Sequence, residues 1–402
     1  MKRIFLPWLG FALVLLAAPL VFPQSAALSL LSQMGTMVLL CLSYNMLLGE
    51  GGMLSFGHAL YSGLGAFGAI HLMNRMAEGA LAFPVTLVPL AGGLTGALCG
   101  VLLGYLTTRR AGTTFSMITL GLVELVSAGV LLFPDLFGGE GGISGNRVIG
   151  EPVLGISYGP QIQVYYLIAG WLLVCAVAIY ALRQTPLGRI LNAVRDNPER
   201  AAFIGYDPQR VRYLALILSA FFAGVAGGLS AINFEIVSAE YVGALRSGTI
   251  LLFTFIGGTA YFYGPIIGGV VGVLFSSWLS AYTQAWQFYL GAFFILIVMT
   301  TPGGLASLVD RGLRLLRSGR LDWRMIAWLA AWLLATLLAL TGIVLATEMA
   351  YQASLADIGA APLLLWGRVI DVHAALPWLA ALLLVMIGVA GLLALQRRGE
   401  RR

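Results

Sequence analysis

The sequence is short of charged residues. Only 10% of its 402 residues are Asp, Glu, Lys or Arg, whereas a soluble domain has about 25%. Apolar residues make up 59% of the chain, the mean hydropathy is +0.92, and apolar stretches of about 18 residues or more recur along it. Helices are the simplest way to carry such stretches across a bilayer. The composition therefore predicts an all-α polytopic membrane protein and excludes a soluble domain.

Lysine is almost absent, because Lys2 is the only one in the chain. A nucleotide-binding P-loop needs a lysine to reach the β- and γ-phosphates. This chain therefore cannot be a conventional ATPase. If nucleotide drives the protein, ATP and Mg²⁺ are expected on another subunit, and no cofactor is expected on this one.

Cysteine and histidine are also scarce. Cys41, Cys99 and Cys175 each lie inside an apolar run, which favours packing over disulfides. The three histidines are scattered, so a buried, hydrogen-bonded role is favoured over metal binding at each. The net charge of +6 is mostly arginine in a few loops. That pattern is typical of membrane topology and of an anionic leaflet rather than of nucleic acid.

Twelve apolar segments are predicted to form membrane-spanning helices. The first resembles a signal peptide, but Pro7 interrupts it and no clean cleavage site precedes Gln24, which favours a retained helix. Residues 248–301 carry no charge, and breaks at Gly257-Gly258, Tyr263-Gly264-Pro265 and Thr283-Gln284 divide them into three spans. The other spans are predicted at about 26–48, 54–73, 84–106, 113–133, 163–182, 211–232, 325–346 and 376–395.

The distribution of charge predicts how the chain is oriented. Basic clusters alternate across the spans with loops that lean acidic. By the positive-inside rule, the basic clusters and both termini are expected to be cytoplasmic, and the acidic-leaning loops external. The basic clusters are Arg109-Arg110, residues 183–212 and the tail from Arg311, and the other loops are residues 74–83, 134–161 and 233–247.

The same pattern predicts how the chain is divided. Residues 1–310 are expected to form a core of about ten helices. Residues 311–324 read as a basic cytoplasmic linker, and residues 325–402 as a two-helix membrane extension whose role the sequence does not indicate.

The longest polar segment is residues 183–212, with six Arg and three acids. Pro186 is typical of a helix start, Asn197-Pro198 of a break, residues 199–204 of a short helix, and Gly205 of its end. A short capped helix in a cytoplasmic loop is a candidate docking element. A solvated basic loop that only sets topology is the alternative.

Two further segments stand out within the predicted spans. Residues 49–68 are rich in glycine and small residues, so either tight helix packing or a path beside this helix explains them, and Gly51-Gly52 permits a break before it. Glu124 is the clearest acid inside a span. Since a carboxylate in a membrane is costly and usually faces the bundle interior, Glu124 is expected to line a path or to bond to another helix. A lone Glu is weak support for proton coupling.

Together these segments resemble the permease subunits of branched-chain amino-acid ABC importers, in particular the LivM-type half. Five motifs occur in the family's order between residues 31 and 310, although Glu140 stands where the family's external loop usually has Thr. The early motifs include Asn45, Gly52, Ser55, Gly57, His58, Gly65, Thr119 and Glu124. The loop motif includes Gly188, Arg189, Arg195, Ala201, Ala202 and Gly205, with Glu199 inside it. The late motifs include Gly257-Gly258, Gly264-Pro265 and Pro302 to Leu305.

The resemblance implies a type II-like importer permease in a bacterial inner membrane. It implies a LivH-type partner permease, two cytoplasmic ATPases, and an external binding protein that supplies selectivity. The residues of the loop motif would couple to the ATPases, and the early motifs would line the pathway or pack helices. The absence of paired charges in the predicted spans fits a permease without a tight substrate site.

Other functions remain open at this point. A permease for urea or short amides would have the same architecture and a different binding protein. A stand-alone ion-coupled carrier has only Glu124 in its support. A membrane protein that assembles others without transport is the third alternative, and the exact substrate is not specified.

Overall fold

The computed structural model describes residues 2–81, 83–149, 157–281, 283, 285–301, 303–317, 323–355, 363–365, 368–370 and 374–399. These residues are almost entirely helical. The helices are α1 (Lys2–Val21), α2 (Ser25–Asn45), α3 (His58–Ala77), α4 (Val88–Thr107), α5 (Thr113–Leu132), α6 (Pro134–Phe137), α7 (Gln161–Gln184), α8 (Pro186–Asp196), α9 (Pro198–Phe203), α10 (Pro208–Phe234), α11 (Ala244–Gly257), α12 (Gly264–Val273), α13 (Trp286–Thr300), α14 (Gly304–Arg317), α15 (Trp323–Leu355) and α16 (Ala375–Gly399). Two short antiparallel pairs join β1 (Ile143–Ser144) to β2 (Ile236–Val237) and β3 (Leu363–Leu365) to β4 (Arg368–Ile370).

Each of the twelve predicted spans corresponds to at least one helix, so the prediction of an all-α polytopic protein is confirmed. Within the described residues, seven helices are long and apolar enough to cross a membrane, and α13 with α14, bent by 54°, would make an eighth. This is fewer than the ten plus two predicted. The apolar parts of α1, α11 and α16 are shorter, and glycine and polar residues lower the hydropathy of α3.

The chain forms two compact units that differ from the predicted division. One is Met1–Ser277 with Phe294–Leu308, and the other is Trp278–Phe293 with Val309–Arg402. Residues 278–293 therefore belong with the C-terminal extension. The sequence pattern does not show this, because Thr283-Gln284 predicts only a break between two spans. Of the predicted basic linker, residues 318–322 lie outside the described residues, as do Gln284 and Pro302.

The second unit is held by small residues and by one partly buried acid. Gly342 of α15 and Gly388 of α16 lie against the backbone of the other helix. Glu348 of α15 accepts hydrogen bonds from the Thr283 hydroxyl at 2.6 Å and from the Tyr289 hydroxyl at 2.9 Å. These bonds tie residues 278–293 to α15 within this unit.

In the first unit, α10 is the central helix. Of its most apolar 18-residue window, 83% is buried, against α2, α3 and α4. Glycines let the backbones meet: a Cβ added to Gly65 of α3 would lie 2.6 Å from Gly224 Cα of α10 and 2.8 Å from the Gly92 carbonyl oxygen of α4. Tight packing is therefore the role that the structure gives to Gly65.

Loop segments gather at two ends of this unit, as the charge pattern predicted for residues 74–83, 134–161 and 183–212 and for the start of residues 233–247. At one end, β1 and β2 join residues 134–161 to residues 233–247, and the Asn74 side chain donates to the Ser144 carbonyl at 3.1 Å. At the other end, which we call the basic end, residues 183–212 meet the segment that follows α2, as described below. The grouping of the loops is thus fixed by contacts.

The glycine contact predicts the effect of a bulky residue on α10. Gly224→Leu would drive a side chain into the backbone of α4 at Gly92 and Gly93, and overpacking of this kind costs about 1–3 kcal/mol or more. We expect a clear loss of folded, detergent-soluble protein and a lower melting temperature. Gly121→Leu is the matched control, since a Cβ at Gly121 meets nothing within 4 Å. Equal melting temperatures for the two variants would contradict this packing.

Candidate functional site

The candidate site begins where α2 ends. A π-helical turn, Met46–Glu50, follows α2, and residues 51–57 then run without regular structure to the start of α3. Gly52 has a φ of +64°, a conformation that costs glycine little and other residues more. Irregular backbone is tolerated in a membrane protein only where other groups satisfy its polar atoms. We call residues 46–57 the broken segment.

Helix α5 supplies hydrogen-bond partners for backbone atoms on one side of the broken segment. The Ser116 hydroxyl donates to the Leu54 carbonyl at 2.7 Å, and the Phe56 N–H donates to the Thr119 hydroxyl at 3.1 Å. The Thr119 hydroxyl in turn donates a hydrogen bond to the Ser116 carbonyl at 2.9 Å. The Thr119 hydroxyl therefore links the backbone of the broken segment to the backbone of α5.

Local groups satisfy the rest of the broken segment. The Tyr44 hydroxyl donates to the Ser55 carbonyl at 3.0 Å, and the Gly57 N–H donates to the Ser55 hydroxyl at 3.2 Å. The Met53 N–H bonds back to the Leu47 carbonyl at 2.9 Å. Gly57 has no room for a side chain, because an added Cβ would lie 2.8 Å from the Thr119 carbonyl oxygen.

His58 fastens the first turn of α3 to α2. It is fully buried, and its Nε2 lies 2.9 Å from the Ser43 hydroxyl, which itself donates to the Leu40 carbonyl at 2.7 Å. Because the single Ser43 hydroxyl hydrogen is used in the bond to Leu40, the Ser43 oxygen accepts and His58 donates from Nε2. Its ring packs edge-on to Tyr44 and Tyr61. A buried, hydrogen-bonded histidine is what the sequence predicted.

Residues 183–212, which we call the basic loop, contain the starts of three helices, and each start is capped by a side chain. Pro186, Pro198 and Pro208 open α8, α9 and α10, and each follows a residue that caps the helix. The Asn197 side chain accepts from the Arg200 N–H at 2.9 Å. The Asp207 side chain accepts from the Gln209 N–H at 2.9 Å, and the Thr185 hydroxyl accepts from the Gly188 N–H at 3.4 Å. The predicted short helix is confirmed as α9, and Gly205, with a φ of +93°, ends it.

The basic loop has a buried face and an exposed face. Gly188, Leu191, Val194 and Ala201 are buried against the protein. Phe203 is 90% exposed and Ile204 is 64% exposed. The remaining predicted loop residues are also exposed, namely Arg189, Arg195, Glu199, Ala202 and Gly205.

Glu50 joins the basic loop to the broken segment. Its two carboxylate oxygens accept from Arg183 Nε at 2.8 Å and from Asn192 Nδ2 at 2.7 Å. Arg195 donates to the Gly49 carbonyl at 2.5 Å, and its side-chain carbons lie over Gly52. We call these contacts the Glu50 clamp. Glu50 was not among the site residues predicted from the sequence, although an acid beside a glycine break is a usable signal.

Asn45 lies at the start of the π-helical turn. It is buried, and with Glu50 and Arg183 it lines a narrow cavity between α2, α7 and α8. Its side-chain oxygen has no hydrogen-bond partner within the described structure. Asn45, Gly52, Ser55, Gly57, His58 and Thr119 are thus brought together around one break in the helix.

Glu124 departs from the expectation that it faces the interior of the bundle. It is exposed on α5, whose buried residues are Phe115, Ser116, Thr119, Val123 and Val130. Successive helical residues are turned by about 100°, so Glu124 points away from the face that Val123 buries. The neighbours of this carboxylate are not supplied by the described part of the chain.

A helical bundle whose broken helix is tied to a structured loop is an architecture typical of membrane transport proteins. Residues 26–300 match the family described as branched-chain amino acid transport system / permease component. The chain belongs to this family, and it is a permease subunit of an ABC importer.

Several curated proteins are similar to this chain. The permease LivM of a high-affinity branched-chain amino acid transport system from Salmonella typhimurium is 28% identical over 70% of each chain. A probable branched-chain amino acid permease, LivH of Methanocaldococcus jannaschii, is 26% identical over 54% of this chain and 69% of its own. A fructose import permease, FrcC of Rhizobium meliloti, is 28% identical over 52% of this chain and 61% of its own. No solved structure matches the chain.

The Glu50 clamp predicts a local change in dynamics. Glu50→Ala leaves Arg183 and Asn192 without their shared partner, and because Arg183 is about one-third exposed we expect a loss of only about 1–2 kcal/mol. Amide hydrogen exchange in α8 should then rise about tenfold. The control is Glu78→Ala, which removes the partner of Arg75 in a pair whose side chains are 73% and 63% exposed. Unchanged exchange in α8 of the Glu50 variant would show that the clamp does not hold this helix.

Proposed function

We propose that this chain is the LivM-type subunit of an ATP-driven importer for branched-chain or other apolar amino acids. It pairs with a LivH-type permease in a bacterial inner membrane, with both termini and the basic end in the cytoplasm. Two ATPases, which carry the ATP and Mg²⁺, dock on the cytoplasmic face. A binding protein delivers the substrate from outside. The names of the relatives and the lack of a P-loop lysine support this proposal.

The observation that carries the proposal is the exposed apolar tip of the basic loop. Phe203 and Ile204 are side chains that gain about 1.5–3 kcal/mol each when fully buried, yet here they are turned outward. The tip is not loose, because Asn197 caps α9 and Ala201 is buried beneath it. A rigid apolar knob in a polar loop is suited to a pocket on a partner protein.

The Glu50 clamp connects the apolar tip of the basic loop to the membrane-spanning helices. Movement of α9 displaces α8, and α8 is bonded to Glu50 and to the Gly49 carbonyl. These residues belong to the broken segment, which leads directly into α3. A break containing glycines can absorb a change in backbone angles, as hinges do in domain closure. Closure of the ATPases would thus alter the junction of α2 and α3.

Glu124 supports a second permease beside α5. A carboxylate in mid-helix is costly when it faces lipid, and Glu124 lies about 17 Å along α5 from Thr113. Contact with a partner helix at this face would supply the missing neighbours. The exposed position of Glu124 therefore suits a subunit interface better than proton coupling within a single chain.

The docking proposal is tested at the tip of the loop. Phe203→Ser removes the apolar knob without disturbing a buried contact, and we expect the affinity for the ATPases to fall about tenfold or more. Copurification with the ATPases and ATP-dependent uptake in proteoliposomes measure the effect. Phe133→Ser is the matched control, since Phe133 is 58% exposed at the end opposite the basic loop. Wild-type assembly and uptake by the Phe203 variant would refute docking at this site.

The exposed side of α9 offers a second test. Ala202→Glu places a charge beside Phe203, while Ala202→Ser changes the same position without a charge. We expect the Glu variant to insert normally but to lose ATP-dependent uptake, and the Ser variant to retain at least about half of it. Gly205→Pro should behave like the Glu variant, because proline cannot adopt the φ of +93° that ends α9. Normal uptake by both Ala202→Glu and Gly205→Pro would contradict the proposal.

A further inference from the structure

Residues 236–247, predicted as part of an external loop, instead run down the side of α3. At their start, β2 pairs with β1 near Asn74 at the far end of α3. Farther along, the Tyr241 carbonyl lies against Gly63, where an added Cβ would be 2.7 Å away. At their end, the Ser247 hydroxyl accepts from the Ala59 N–H, in the first turn of α3, at 3.0 Å. The segment thus descends the length of α3.

This descent places Arg246 deep within the bundle. At 1.5 Å per residue, Ala59 lies about 27 Å from the far end of α3 at Ala77. Arg246 lies about 17 Å from the end of α11 at Gly257. A bilayer with its headgroups is about 40–45 Å thick, so Arg246 sits in the membrane interior rather than at a surface.

Arg246 has no acidic partner within the described part of the chain. None of the salt bridges found there involves it. Its guanidinium carbon lies 4.0 Å from the centre of the Tyr241 ring, and its Nε is enclosed without a hydrogen-bond partner. Of the two nearest acids in sequence, Glu235 accepts from the Arg147 N–H and Glu240 is exposed. An unneutralised cation at this depth is costly, and such residues usually mark a substrate path.

The helices around Arg246 add to its positive field. Arg246 is in the first turn of α11, and its neighbour Ser247 meets the first turn of α3. Both helices therefore direct their positive ends to the same place. Because the start of a helix is the positive end of its dipole, an arginine there is unfavourable unless an anion binds beside it. Leu245 is 80% exposed, so this turn opens away from the body of the chain.

We propose that Arg246, with the first turns of α3 and α11, binds the carboxylate of the amino acid as it crosses the membrane. This rests on the proposed function and names the part of the substrate that the chain contacts. A guanidinium suits a carboxylate because both are planar and can share two hydrogen bonds. The predicted spans contain no paired charges for this task, because residues 233–247 were predicted to lie outside the membrane. A neutral substrate such as urea would leave Arg246 without an anion.

The test uses the complete transporter, with both permeases, the ATPases and the binding protein, in proteoliposomes. Arg246→Gln keeps most of the side-chain volume and removes the charge, and we expect uptake of labelled leucine to fall about tenfold or more. Assembly and the ATPase rate without binding protein should be unchanged. Arg75→Gln is the control, since Arg75 is exposed and its only salt bridge in the described structure is to Glu78.

Restoring the charge separates binding from packing. Arg246→Lys should recover part of the uptake. Arg246→Cys treated with an aminoethyl thiosulfonate, which adds a cation, should recover more than the same variant treated with a neutral methyl reagent, in a background without Cys41, Cys99 and Cys175. Loss of uptake in Arg246→Gln that neither cation restores would overturn the proposal in favour of a packing role.

The outcomes also separate this inference from the proposed function. If the wild-type complex shows no ATP-dependent uptake of leucine, the proposed function fails. If the wild-type complex takes up leucine and Arg246→Gln does so equally well, the function stands and the role of Arg246 is refuted.

Discussion

The backbone of the broken segment lacks the internal hydrogen bonds of a continuous helix, and side chains from several neighbouring helices of the first unit supply partners instead. Helix α2 contributes Tyr44, and α5 contributes Ser116 and Thr119. The helices on both sides of the break are held in the same way. Ser247 of α11 accepts from the Ala59 N–H in the first turn of α3, and Ser219 of α10 donates to the Ser43 carbonyl near the end of α2 at 2.6 Å. Four helices thus meet at one break through hydroxyl groups. Hydroxyl groups suit this task because they are small and can both donate and accept.

The parts of the structure that the sequence predicted well are those governed by local chemistry. Asn197-Pro198 and Gly205 define a short helix through capping and a positive φ, and both effects act within a few residues. The alternation of basic and acidic-leaning loops predicted that the loops after α3 and α5 and the start of residues 233–247 share an end, because charge resists transfer across the membrane. His58 was expected to be buried and hydrogen-bonded, because the histidines are scattered along the sequence rather than clustered as metal ligands.

The parts that the sequence could not predict depend on contacts between distant residues. Glu124 has the same intramembrane context whichever way its side chain points, and only the packing of Val123 shows that it faces outward. The descent of residues 236–247 into the bundle requires the contact of Ser247 with Ala59, 188 residues away in sequence. Glu50 gains its meaning from Arg183 and Asn192, which lie on a different element. Hydropathy and motif spacing do not identify the partners in these pairings, although the position of Glu50 beside a glycine break marked it as unusual.

The contact of Gly65, Gly92 and Gly224 limits how the protein can move. Side chains that interdigitate can exchange rotamers and let helices slide, but α3, α4 and α10 meet there through their backbones. These three helices are therefore expected to travel as one rigid block during transport. Helix α5 bonds to the broken segment through Ser116 and Thr119 near its start, and α11 bonds to α3 through Ser247 in its first turn. A conformational change during transport would then rotate this block relative to α5 and α11, with the break before α3 as its pivot.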